Sequence, residues 1–102
     1  MSHTIVVPNA EAPSPGGSRR VNVGGREIAL YNVDGAYYAT DDVCTHDEAS
    51  LADGELFGCI VECPLHGARF DVRNGKALSL PAVYPVRTYP TRISDAGVEV
   101  TV

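Results

Sequence analysis

Turn dipeptides recur along the whole of this chain, and nearly every local signal is for short strands and tight bends. Gly24-Gly25, Asp34-Gly35, Asp53-Gly54, Asn74-Gly75 and Ala96-Gly97 punctuate it, and each is a pair suited to the tight bends of β-turns. Seven prolines, at positions 8, 13, 15, 64, 81, 85 and 90, interrupt what remains, because proline removes a backbone donor and clashes with the preceding helical turn. No stretch of ten or more residues keeps a helical apolar period. The sequence therefore predicts an all-β fold with negligible helix.

The segments between turns carry strand patterns. Residues 21–23 and 26–33 flank the glycine pair as a β-hairpin, and residues 36–39 follow the Asp34-Gly35 turn. Residues 55–57, 59–62, 69–72, 86–93 and 98–102 read the same way. Alternation in Val98-Glu99-Val100-Thr101-Val102 puts three valines on a core face and leaves Glu99 and Thr101 outside; this strand is expected to close the sheet. Residues 11–18 are rich in Pro, Gly and Ser, but only ten residues precede them, too few for a domain, so the segment is expected to be a loop. There is no repeat at a solenoid period.

Composition bounds the function. A chain of 102 residues is expected to be a single domain, 1–102, with room for one core. Its 44% apolar and 21% charged content are those of a globular chain, and no apolar run approaches the roughly 20 residues of a membrane span. The opening Met1-Ser2-His3-Thr4-Ile5 lacks a basic region followed by an apolar one, so secretion is not expected. A net charge of −5, from 8 Lys plus Arg against 13 Asp plus Glu, argues against a nucleic-acid partner. Asp41, Asp42, Asp47, Glu48 and Asp53 crowd one region, where they either steer a basic protein partner or form an ordinary solvated loop.

Two short motifs carry the chemistry. Cys44-Thr45-His46 and Cys63-Pro64-Leu65-His66 each supply one thiolate and one imidazole, with sixteen residues between them. Four donors of mixed softness on two loops suit a [2Fe–2S] cluster in which two cysteines hold one iron and two histidines the other. Such a centre is formally neutral when oxidised and gains a single negative charge on reduction. That lighter charge is why its potential lies at roughly −150 to +300 mV, against about −400 mV for plant-type centres with four thiolates. The free ring nitrogens of His46 and His66 are candidate exit points for the electron. Zinc is the rival ion, though its usual spacings pair cysteine with cysteine and histidine with histidine. Cys59 is left over; three cysteines make no disulfide framework, and a reducing cytoplasm fits. Cys59 reads as a small buried strand residue rather than a fifth ligand.

These residues resemble the small Rieske-type ferredoxins of bacterial aromatic-ring hydroxylating dioxygenase systems. The likeness runs from Ile28 to the C-terminus and is strongest in Cys63-Pro64-Leu65-His66-Gly67-Ala68-Arg69-Phe70-Asp71-Val72 followed by Asn74-Gly75-Lys76-Ala77. The resemblance implies packed antiparallel sheets with a smaller cluster-binding part at about residues 43–83. It also implies Cys44 and Cys63 on the buried iron, His46 and His66 on the outer one, and Leu80-Pro81-Ala82-Val83 as a third loop over the cluster. Respiratory Rieske proteins carry an extra, disulfide-forming cysteine in each loop, where this chain has Ala49 and Leu65. They also carry a serine and a tyrosine that donate hydrogen bonds to a bridging sulfide and a ligand thiolate, where this chain has Ala68 and Phe70. Losing both bonds implies a potential at the low end of the Rieske range. Asp47 stands where many relatives have glycine.

The function implied is a cytoplasmic, monomeric one-electron carrier between a flavin-containing ferredoxin reductase and a terminal oxygenase, without catalysis or a substrate of its own. A catalytic oxygenase fragment would need a second iron held by two histidines and a carboxylate. Three histidines less the two cluster ligands leave only His3, which is expected to be solvent-exposed near a frayed end. The remaining alternative is a redox small subunit of a larger oxidoreductase such as a nitrite reductase.

Overall fold

The structure, a computed structural model, describes residues 3–44, 49–65, 67–79 and 84–102. Its strands are β1 (Thr4–Pro8), β2 (Ser18–Val23), β3 (Arg26–Val33), β4 (Ala36–Asp41) and β5 (Glu55–Phe57). They continue with β6 (Ile60–Glu62), β7 (Arg69–Asp71), β8 (Thr88–Tyr89), β9 (Thr91–Ser94) and β10 (Gly97–Thr101). Among the described residues the only helical element is a single 3-10 turn, Leu51–Asp53. The strands form three antiparallel sheets, ordered β1-β10-β9, β2-β3-β4-β8 and β5-β6-β7.

Turn chemistry sets the hairpins. Gly24 and Gly25, at φ +59° and +85°, join β2 to β3, and Asp34 and Gly35, at +51° and +91°, join β3 to β4. Two positive φ values are what a two-residue type I′ turn requires, and the Asn32 carboxamide oxygen fixes the second turn by accepting from the Gly35 N–H at 2.8 Å. β3 is buried on both faces. Ile28 and Leu30 face a cluster shared with Val7, Val23, Ala39, Val98 and Val100. Ala29 and Tyr31, on the alternate face, join a second cluster containing Cys44 and Cys63. One strand therefore separates the core between the β1-β10-β9 and β2-β3-β4-β8 sheets from the core that contains Cys44 and Cys63, as the period-two alternation of a strand dictates.

Several expectations shift. β1 is an added strand: the β-branched run Thr4-Ile5-Val6-Val7 pairs along β10, with Thr4 opposite Thr101. β10 is thus the middle strand of its sheet and does not close it, while Val98 and Val100 are buried and Val102 is half-buried. The chain end holding His3 is paired, since the His3 and Val102 backbones exchange hydrogen bonds at 3.2 and 2.9 Å, although the His3 side chain is exposed as expected. The segment 86–93 splits at Pro90, so that β8 pairs with β4 and β9 with β10. Proline lacks the donor that a continuous ladder needs, and here it marks the passage from one sheet to the other. Gly97 lies inside β10, opposite Pro8, and a β-carbon there would run into the Val7 carbonyl; the turn before it is Asp95-Ala96.

Candidate metal centre

Cys44 follows the isolated bridge between Val43 and Ser50, and its N–H donates to the Ala49 carbonyl at 3.0 Å. Cys63 follows β6, and its N–H donates to the Ala68 carbonyl at 2.7 Å. In both loops the cysteine closes the backbone onto the residue five positions later. Each loop is therefore held by a hydrogen bond at the cysteine itself. In the second, Gly67, at φ +74°, returns its N–H to the Cys63 carbonyl at 3.1 Å, a left-handed conformation that a β-carbon would strain.

Both thiols are buried, at 3% and 1% exposure, in one apolar cluster with Tyr31, Leu51, Val61, Ala68, Phe70 and Val86. No disulfide joins Cys44, Cys59 and Cys63. Two thiols in one water-excluding core, each on a closed loop, fit the thiolate half of a [2Fe–2S] site. His46 and His66 lie outside the described residues, as do Asp47, Glu48 and the segment 80–83 of the expected third loop. The ends of that third segment are described. Leu78 donates to the Arg69 carbonyl at 2.8 Å, the Ser79 hydroxyl accepts from the Arg69 N–H at 3.1 Å, and Val86 donates to the Gly75 carbonyl at 2.8 Å.

Tyr31 lies at the base of this core. Burial, more than any neighbour, pushes its phenol well above the ordinary tyrosine range; the Thr40 hydrogen bond opposes this, while Asp42 and Cys44 add to it. The Tyr31 and Thr40 hydroxyls share a 2.9 Å hydrogen bond, and the Thr40 hydroxyl also reaches the Asp41 carbonyl at 2.9 Å. Asp71, beside Phe70 on β7, accepts from the Arg73 side chain at 2.8 and 3.1 Å, and these bonds hold its carboxyl below the usual carboxylate range. Arg69 donates to Glu62 at 2.9 Å and lies over the Phe57 ring.

The cluster of acids divides. Asp53 is exposed, but Asp41 accepts the Tyr89 hydroxyl proton at 2.5 Å, and Asp42 is buried, with its carboxylate turned to Ser50 and Ala52. Neither is an ordinary solvated charge. Sequence alone assigned Asp42 no structural work; the one signal it offers is the position of Asp42 two residues before Cys44. Cys59 is half-buried and belongs to the turn between β5 and β6, where Gly58 takes φ +59°. It sits outside the strand because two residues are needed to reverse the chain. At the loop end, Val43, Leu65 and Tyr84 are exposed.

Two closed loops that bury one cysteine each over an antiparallel β scaffold define a small protein built to hold a cluster. Comparison with known proteins gives the family: residues 2–90 match the Rieske [2Fe-2S] domain model. The match reaches well ahead of Ile28 and takes in β1 and β2. A ferredoxin component of the naphthalene 1,2-dioxygenase/salicylate 5-hydroxylase systems of Ralstonia sp is 53% identical over 78 residues, 76% of this chain and 75% of its own. The 3-phenylpropionate/cinnamic acid dioxygenase ferredoxin subunit of Photorhabdus laumondii is 45% identical over 100% of this chain and 96% of its own. A chain in a solved complex of reduced oxygenase and oxidized ferredoxin in carbazole 1,9a-dioxygenase superposes with a TM-score of 0.88 at 40% identity, over 95% of this chain and 91% of that one. This chain belongs to the Rieske [2Fe-2S] family and carries a cluster of that type.

Proposed function

We propose that this protein is a one-electron carrier, a Rieske ferredoxin that takes electrons from a flavin-dependent ferredoxin reductase and delivers them to a terminal aromatic-ring hydroxylating dioxygenase. Residues 1–102 form one domain, its cluster-binding part at about 43–83, with Cys44, His46, Cys63 and His66 as ligands. The observation that carries this reading is the burial of both thiols in one apolar core beneath two loops closed in the same way. The cluster supplies reversible storage of one electron. Tyr31, Phe70, Val61 and Leu51 keep water from the thiol side, and Ala49 and Leu65 leave the loops without a disulfide.

The chain's part is transport, not catalysis. A second iron held by two histidines and a carboxylate would need more than His3, the one histidine beyond the proposed ligands, which lies against Gly24 and Val102. The Ralstonia and Photorhabdus relatives, each a ferredoxin component of a dioxygenase system, and the carbazole dioxygenase complex of ferredoxin with oxygenase support the terminal oxygenase as partner. We place the protein in the cytoplasm as a monomer, a reading supported by three cysteines without a disulfide; among the described residues no helix is long and apolar enough to cross a membrane.

Electron paramagnetic resonance of the dithionite-reduced protein, with iron and acid-labile sulfide measured on the same sample, tests the assignment. The expected result is a rhombic signal of the low-average-g Rieske type with two irons and two sulfides per chain, unchanged in Cys59→Ser and lost in Cys63→Ser. A silent, zinc-containing sample would overturn it.

A further inference from the structure

Asp42 is the polar hinge of the first loop. Its N–H donates to the Glu27 carbonyl at 3.1 Å and its own carbonyl accepts from Leu51 at 2.7 Å, which ties the loop base to β3 and to the 3-10 turn. Its Oδ1 accepts from the Ser50 hydroxyl at 2.8 Å and from the Ala52 N–H at 3.0 Å. One carboxylate thus joins the strand entering the loop to the segment leaving it. The side chain is only 4% exposed, and among the described residues the cation paired with it is Arg20, 3.8 Å from Oδ2 and itself 53% exposed.

Asp42 precedes Cys44 by two residues, at most about 7 Å along an extended chain. The Tyr31 phenol, in the core shared with Cys44, feels both groups. A buried charge this close acts through a medium that screens it less than water does. Adding an electron beside a negative charge is opposed, and an arginine half in solvent offsets only part of that opposition.

We propose that Asp42 is a positioning residue for Cys44 whose carboxylate charge also holds the reduction potential down, with Arg20 opposing it. The proposal rests on the reading of Cys44 as a cluster ligand. Closing the loop and setting the charge are separable, because Asp42→Asn keeps the Oδ1 acceptor and removes the charge, while Asp42→Ala removes both.

The test compares the two Asp42 variants and Arg20→Gln with the parent holoprotein by voltammetry, together with iron and sulfide per folded chain. Asp42→Asn is expected to hold the cluster and shift the one-electron equilibrium toward the reduced form by up to about tenfold, or about 59 mV. Arg20→Gln is expected to move it the other way by a smaller factor. Asp42→Ala is expected to retain less iron and sulfide than Asp42→Asn. An unmoved potential in a cluster-bearing Asp42→Asn, or a shift in Arg20→Gln that is absent or positive, overturns the electrostatic role. If Asp42→Asn fails to hold its cluster, Arg20→Gln decides alone. Full retention in Asp42→Ala overturns the positioning role. A parent protein without the mixed-ligand signal would instead refute the ligand assignment, which the same samples report.

Discussion

At the scale of single residues, a hydroxyl able to donate to a sulfur of the bound cluster would raise its potential, in addition to the charge effect proposed for Asp42. Ala68 and Phe70 are both fully buried in the core that holds Cys44 and Cys63, so neither brings a hydroxyl into it. A hydrogen bond to a charged acceptor contributes about 1.5–3 kcal/mol, and at about 59 mV per tenfold change one added donor is worth roughly 60 mV or more. Ala68→Ser and Phe70→Tyr are therefore expected to raise the midpoint potential, each measured by voltammetry on the cluster-bearing protein; a negative shift would refute the explanation. Cys44 and Cys63 stand out in the sequence as candidate donors, because metal binding demands particular atoms at short spacing, and the structure buries both in one core. Asp42 and Arg69 do not stand out, since a carboxylate or guanidinium reads the same whether it meets solvent, Ser50 or Glu62.

Among the elements, the Asn74-Gly75 turn does more than reverse the chain after β7. Gly75 donates to the Asp71 carbonyl at 2.7 Å and accepts from Val86 at 2.8 Å, so it joins the second ligand loop to the segment that leaves the third. It sits at φ +77°, and a β-carbon would collide with the Val86 carbonyl. Gly75→Ala combines a left-handed conformation, which costs about 1–2 kcal/mol in a residue with a side chain, with that collision. Denaturant unfolding should show a loss of at least that size, with faster release of iron on dilution into chelator; wild-type stability would show that the turn shifts freely. The hairpin turns were readable because their φ requirements are local. The break at Pro90 was visible only as a proline inside an expected strand, and which sheet each half joins depends on β4 and β10, tens of residues away.

Over the whole molecule, a net charge of −5 remains available for long-range steering even though Asp41 and Asp42 are engaged internally. Association with a reductase is expected to slow as salt rises, because exposed charges such as Asp53 are screened beyond about 10 Å at 0.1 M ionic strength. Stopped-flow reduction across a salt series measures this, and a rate that does not fall would assign docking to the exposed Leu65 and Tyr84 side chains. The sequence by itself determined the β class and suggested the donor set proposed above, because turn preference and ligand chemistry reside in a few adjacent residues. The tertiary structure alone decided that β1 pairs with β10, that β3 divides two cores, and that Asp42 turns inward beside Cys44. Each of those outcomes is a choice between solvent and a partner brought close only by folding, and burial assigns it after the strands have met.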